Sequence, residues 1–455
     1  MHPFQETTHT LRLELSPKSE KRYRAELRDV SKDGSVYDEI TVDASEMKAW
    51  REHSRMEPDA VGAALAKLVL TPKIREFYQG RRGESLRVRI ELRIIDNDNP
   101  LHCLPWELMH GPSDDGTPLP LAADENTPFS RFDDLQRKLT DPLQSETLNL
   151  LVVTSNPWDL QEQGMHSIEV EPLLYSLLGR LRKHSDAGRI KVTVLSGQSE
   201  SRVTLTDDLN AAGWAYEHGA ASLDSIQRMA ETCNLLYLTA HGSANGLILE
   251  NNGGDAEAVS ADQIADKLTG ASSRPTLIFL SACYTGMRPC NDAFASLGPK
   301  LHAAGIPAVI AMQDAVEMNA VRQVAADFFD GLFDPALANG HVDVALNRGR
   351  RLLYDRKLSI WAPPVLFCRL RDGRLFVDSQ VNSASRTERN AKILLETIRT
   401  YPESTIPLSI LRAKSGLSDR DFDEADRYLW DHAFARGTQL QRFLTQKGKV
   451  ETLGK

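Results

Sequence analysis

Two short apolar runs, each ending in a reactive side chain, constrain this chain more than any other feature. The first, Leu235-Leu236-Tyr237-Leu238-Thr239-Ala240, runs straight into His241-Gly242. The second, Pro275-Thr276-Leu277-Ile278-Phe279-Leu280-Ser281-Ala282, runs into Cys283. Runs of this length, bounded by polar and Gly-rich stretches, read as buried strands of a parallel sheet. Between them lie residues 243–260, read as a loop, and a helical pattern over 261–268. A strand–helix–strand unit points both strands the same way. His241 and Cys283 therefore leave the sheet at one edge, the carboxyl edge at which open α/β sheets bind ligands.

That adjacency carries a chemistry. A free thiol is only slightly ionised at neutral pH, and a neighbouring imidazole raises the thiolate fraction. The imidazole can then hand the proton to a leaving amine. Gly242 has no side chain, so its N–H can approach an oxyanion closely, and with the N–H of Cys283 it forms the donor pair that acyl transfer needs. The plainer reading is a buried small Cys after a strand and a structural His at a strand end. Cys290 is a rival nucleophile, but it follows Arg288-Pro289 and terminates no strand.

The residues also carry a family resemblance. Tyr237-Leu238-Thr239-Ala240-His241-Gly242 and Phe279-Leu280-Ser281-Ala282-Cys283 resemble the caspase-like cysteine peptidases, and within them the CHAT domain group. Three further stretches agree in chain order: Cys103-Leu104-Pro105-Trp106-Glu107-Leu108, Ala304-Gly305-Ile306-Pro307-Ala308-Val309-Ile310-Ala311-Met312, and Trp361-Ala362-Pro363-Pro364-Val365-Leu366-Phe367. The resemblance spans roughly residues 60–370. It implies a Cys/His dyad with Cys283 as nucleophile and His241 as general base and acid, without a third acidic member.

With 455 residues the chain has room for two to four domains. A formal net charge of −9 argues against a general nucleic-acid or membrane-surface protein. The five cysteines (Cys103, Cys233, Cys283, Cys290, Cys368) are odd in number and lack metal-ligand spacing, which suits a reducing cytoplasm rather than a disulfide framework. The first residues show no secretory signal, and no apolar run approaches a membrane span. Without metal clusters or phosphate loops, no cofactor is implied.

Along the chain, residues 9–45 alternate like strands, with a turn at Asp33-Gly34. Residues 61–78 have helical spacing that Pro72 breaks or kinks. Residues 85–95 alternate again and lead to Trp106 and Glu107, read as a core plug and a carboxylate satisfying local backbone. Residues 112–145 read mostly as loop. Strands at 148–154, 190–195, 308–312 and 364–370 alternate with helices at 168–183, 222–232, 294–304, 319–332 and 344–354. The expected fold is α/β. A caspase-like, mainly parallel sheet with helices on both faces spans 146–378. A non-catalytic, pseudo-caspase-like α/β half precedes it over 1–140, and a small helical, winged-helix-like domain follows over 388–455.

Ser281 shares a strand face with Cys283. By the resemblance it borders the primary specificity pocket, which a small residue leaves open. The loop after the next strand should line the same cleft, and Asp314 or Glu317 there would select a basic residue before the scissile bond. Glu317 would otherwise serve the helix that begins near Asn319. Small or apolar substrate residues remain an equal alternative.

The C-terminal unit is expected to hold helices at 391–401 and 407–414, a third helix from the N-cap Ser418 to Asp431, and a hairpin strand from Gln441. Its order resembles a winged helix-turn-helix. The third helix carries Asp419, Asp421, Asp423, Glu424, Asp426 and Asp431, which would repel phosphates. A protein-interaction module is the favoured reading over DNA binding. Arg412, Lys414, Arg436, Arg442, Lys447 and Lys449 lie outside that helix and leave a phosphate contact elsewhere open.

The functional expectation is an intracellular cysteine endopeptidase acting on a protein substrate, recruited to a sensor or regulator through its tail. Members of the resembled family often serve as regulated effectors, including in bacterial defence. The alternative is a catalytically silent peptidase-fold scaffold that signals by binding.

Overall fold

The computed structural model describes residues 8–84, 87–96, 99–112, 119–132, 138–145, 147–198, 206–243, 245–270, 273–283, 296–315, 317–357 and 361–377. It also describes 387, 390–391, 393–395, 397–401, 405–415, 417, 419–431, 435–437 and 441–444. The expected Ser418 cap and Cys290 lie outside the described residues. The chain divides into two compact units, Met1–Phe376 and Val377–Lys455.

The first unit is built on one twelve-stranded sheet. Its strands, in chain order, are β1 (Thr8–Ser19), β2 (Arg22–Asp29), β3 (Ser35–Thr41), β4 (Arg87–Ile94), β5 (Phe129–Arg131) and β6 (Leu148–Thr154). Then come β7 (Ile190–Ser196), β8 (Ala215–His218), β9 (Leu235–Thr239), β10 (Leu277–Ser281), β11 (Ala308–Met312) and β12 (Pro364–Cys368). Their lateral order is β3-β2-β1-β4-β5-β12-β11-β10-β9-β6-β7-β8. From β11 through β10, β9, β6 and β7 to β8 every pair is parallel. β12 runs antiparallel to β11, and β5, β4 and β1 then run parallel to β12. The sheet is mainly parallel, and it is continuous through residues 1–140 and 146–378.

Alternation along each strand assigns the two faces. Leu150, Val152, Leu235, Tyr237, Leu277 and Phe279 enter one core together with Leu173, Leu177, Val324, Phe328 and Phe329 of the helices Val170–Asp186 and Met318–Phe333. Leu151, Val153, Leu236, Leu238, Ile278 and Leu280 enter the other. There Ile226, Ile264, Leu268 and Leu301, on Leu223–Ala230, Ala261–Gly270 and Leu297–Ala304, cover them. Helices therefore cover both faces, as continuous apolar strands demand.

As expected, Pro72 breaks the span 61–78 into two helices, Pro58–Val69 and Pro72–Glu84, and starts the second. Other local readings differ from the structure. Within 112–145, read as loop, the three-residue β5 lies in the sheet between β4 and β12. Residues 243–260 form a hairpin, Gly246–Glu250 with Ala256–Ser260, and His241–Ser243 joins it as a third strand. Among the described residues the Glu107 carboxylate is held by side chains rather than by local backbone: Arg131 donates to both of its oxygens (2.9 and 2.6 Å). Trp106 is a fully buried core plug whose Nε1 donates to Leu101 O.

In the second unit, helices Leu408–Ser415 and Asp419–Asp431 are accompanied by Ile406–Pro407, Ala435–Gly437 and Gln441–Leu444, a three-stranded antiparallel sheet. Leu394, Ile398, Leu411, Phe422, Ala425 and Leu429 form its core. Asp423 pairs with Arg412, and Asp426 with Arg442 (2.6 Å). Two of the cations the sequence offered for phosphates are thus engaged by the acidic helix itself.

Candidate active site

β9 and β10 are in register, with Thr239 opposite Ser281. His241 and Cys283 each lie two residues beyond this pair, so equal steps carry both past the same sheet edge. Both line one open cleft of about 460 Å3, together with Gly242, Ser281 and Ala282. His166, Ile168 and Glu169 supply one wall, and Glu317, Met318, Asn319 and Val321 another. His241, Gly242 and Cys283 are each half-buried, reachable from solvent yet backed by protein.

Gly242 is required by close approach. A Cβ there would stand 2.7 Å from Cys283 O and 3.0 Å from Ala282 Cβ. The backbone of residue 242 therefore lies against that of Cys283, which is the placement two converging amides need.

Among the described residues, the His241 ring is held by a bond to the loop that carries His166. Its Nε2 lies 2.6 Å from the backbone oxygen of His166. A carbonyl only accepts, so Nε2 carries the proton and Nδ1 is the basic nitrogen of the neutral ring.

The loop carrying His166 is itself tied down by residues the sequence reading did not single out. Asn156 Oδ1 accepts from Ile168 N (2.9 Å), and Asn156 N donates to Glu250 Oε1 (3.2 Å). The other oxygen of the fully buried Glu250 accepts from Gln198 N (2.9 Å) and Ala221 N (3.0 Å). One carboxylate thus gathers the segments that follow β6, β7 and β8. Gly197 makes room for it, since a Cβ there would fall 1.7 Å from Glu250 Oε1. The legible signal was an acidic residue ending the short apolar run Gly246-Leu247-Ile248-Leu249 just before a turn, Asn251-Asn252-Gly253-Gly254.

At the carboxyl ends of β6, β9 and β10 the otherwise apolar face carries hydroxyls. The hydroxyls of Thr154, Thr239, Ser281 and Tyr237 are buried, and none has a hydrogen bond of good geometry among the described residues. Burial raises the Tyr237 hydroxyl above its ordinary pKa, opposed by the nearby hydroxyls of Ser281 and Thr239 and by Arg322.

The expected selectivity residues separate. Ser281 lies at the cleft with its side chain buried. Glu317 lines the cleft, exposed, at the N-cap position of Met318–Phe333, where its side chain makes no capping bond. Asp314 is absent from the cleft lining, because its carboxylate is bound by the Arg55 guanidinium. The missed Glu169 takes its place, with Arg322 Nη1 3.9 Å away.

Among the described cysteines Cys283 and Cys103 are partly exposed, and the Cys103 thiol donates to Pro100 O (2.8 Å). Cys233 and Cys368 are buried, and burial raises both thiols, that of Cys368 up to about 12. Among the described residues no group of three or more His, Cys, Asp or Glu is placed to hold a metal ion. No helix among them is long and apolar enough to cross a membrane.

A helix-covered, mainly parallel sheet that presents His and Cys at one edge defines a peptidase-like α/β protein. The chain belongs to the CHAT domain family, whose model matches residues 59–369 and so more than half of the chain. Among solved structures, a chain of the Saccharomyces cerevisiae separase–securin complex is similar at 11% identity and a TM-score of 0.35. The match covers 66% of this chain and 17% of that one. No curated protein matches the sequence.

Proposed function

We propose that the protein is a cysteine endopeptidase with a Cys283/His241 dyad. The observation that carries this reading is the shared cleft, in which Cys283, His241 and Gly242 meet at one sheet edge. His241 Nδ1 takes the proton of Cys283 Sγ, and the thiolate adds to the carbonyl carbon of a peptide bond. The amides of Gly242 and Cys283 hold the resulting oxyanion. The C–N bond breaks as the imidazolium returns the proton to the departing amine. Water then hydrolyses the thioester, releasing the acid and restoring the thiol. The carbonyl of His166 holds the ring throughout, as an oriented partner does for a catalytic imidazole.

Ser281 forms part of the floor that receives the residue before the scissile bond. Glu317 and Glu169, both exposed on the cleft walls, favour a basic residue there. No cofactor takes part. The C-terminal unit recruits a protein, a sensor or the substrate itself, because its acidic helix repels nucleic acid. Regulated action as an effector, for example in bacterial defence, fits that arrangement.

The decisive experiment is an unbiased cleavage-site profile of the full chain against its Cys283→Ala variant. Sites present with the native protein and absent with the variant support the reading. Identical profiles, with Cys283 unlabelled by peptide-based thiol probes and partner binding intact in the variant, would establish the silent scaffold instead.

A further inference from the structure

One wall of the cleft, Glu317 to Val321, begins the helix Met318–Phe333. The segment delivering it, residues 313–315, leaves β11 beside the Cys283 strand. All three of these residues are gripped, and most of the grip comes from the N-terminal part of the chain. Arg131 Nη2 donates to Gln313 Oε1 (3.1 Å), and Gln313 Nε2 donates to Glu107 Oε2 (3.3 Å) and Ala362 O (3.1 Å). Arg55, in the turn between helices Ala44–His53 and Pro58–Val69, donates through Nε and Nη2 to the two carboxylate oxygens of Asp314. Its Nη2 also donates to Ala315 O (3.1 Å).

We propose that Arg55 and the buried Glu107–Arg131 pair are positioning residues for substrate selection. They fix residues 313–315 and so the wall that follows two residues later, which sets the side chain accepted before the scissile bond. This rests on the peptidase reading above. A buried ion pair adds little net stability over a well-packed apolar pair, but its directional bonds fix geometry. Glu107 and Arg131 both direct that capacity at Gln313. Arg55 is half-exposed, so its fork to Asp314 serves as a guide more than as a source of stability.

The test uses the full chain and Arg55→Ala, with the charge swap Arg55→Asp/Asp314→Arg as rescue and the apolar pair Glu107→Leu/Arg131→Met as a second route. Amide hydrogen exchange across 313–321 is read by mass spectrometry. Cys283 labelling is timed with two peptidyl acyloxymethyl ketones that end in Arg or Ala, and with iodoacetamide. The expected result is faster exchange in 313–321 for Arg55→Ala and an Arg:Ala labelling ratio altered by about tenfold. Iodoacetamide labelling and melting temperature stay near native, and the swap restores the ratio. Unchanged exchange and an unchanged ratio in Arg55→Ala and in the apolar pair overturn the proposal. If native protein reacts with neither ketone, the peptidase reading fails, and exchange alone decides whether the clamp exists.

Discussion

Thr239 and Ser281 are cross-strand neighbours at the ends of two parallel strands, and the dyad stands two residues beyond each. Parallel register, rather than any contact in the chain, brings imidazole and thiol to one cleft.

Removing either member should abolish cleavage without unfolding the protein. Cys283→Ala and His241→Ala are each expected to lower kcat by about a thousandfold or more. Single-turnover assays on a substrate found by the cleavage profile, with melting curves as control, check this. Undiminished cleavage in either variant defeats the dyad.

Gly242→Ala should act through backbone displacement. The new methyl would meet Cys283 O at 2.7 Å, so the backbones must part and the oxyanion donors diverge. A loss of about a hundredfold in kcat with a smaller change in KM is expected. Gly179→Ala, where a Cβ meets nothing within 4 Å, is the matched control and should be silent.

Thiol reactivity should be selective. Of the two partly exposed cysteines, Cys283 is expected to alkylate ahead of Cys103 at pH 7.5, because the Cys103 thiol is tied to Pro100 O (2.8 Å). Cys233 and Cys368 should stay unmodified until the protein unfolds, because burial raises both thiols. Peptide mapping after a short iodoacetamide pulse reads the order, and modification of Cys368 ahead of Cys283 would contradict it.

Glu250→Ala should cost both stability and activity. It strips the acceptor from the buried amides of Asn156 and Ala221 and the part-buried amide of Gln198. The expected loss is on the order of 3–5 kcal/mol, given the usual cost of each orphaned donor. Chemical denaturation measures it. Glu250→Gln should lie between, since one amide oxygen can still accept.

Stability should fall as pH drops from about 6.5 to about 4, in part through His341. Burial holds its pKa down to about 4, with Asp343 favouring the charged ring and Arg89 and Arg374 opposing it. Across that window the unfolded chain binds a proton that the folded one resists, so the folded state loses ground as pH falls and none above 6.5. The pH dependence of unfolding, compared with that of His341→Gln, isolates this contribution. Equal slopes for the two proteins would remove it.

Much of this architecture was readable in the sequence because buried parallel strands advertise themselves as unbroken apolar runs. The strands leading to His241 and Cys283 are such runs, and the helix between them shows as apolar residues at helical spacing. β5 was not readable: three residues, Phe129-Ser130-Arg131, are too few to show a period, and their place is set by neighbours remote in the chain. The hairpin within 243–260 does not stand out in the sequence, because its strands are only five residues each and the second, Ala256-Glu257-Ala258-Val259-Ser260, has little apolar content. Asp314 was assigned to the cleft from its position after β11, and only the fold reveals Arg55 waiting beside it. Glu107 likewise has partners that no local pattern could indicate.

The reversal at β12 has a consequence for how such a chain can diversify. Because β5, β4 and β1 point against the Cys283 strand, the turns at their carboxyl ends open on the far rim, away from the reacting groups. Insertions there leave the chemistry untouched, while the turn at Arg55 still reaches across to the near side. New inputs can therefore be wired to an old blade without regrinding its edge.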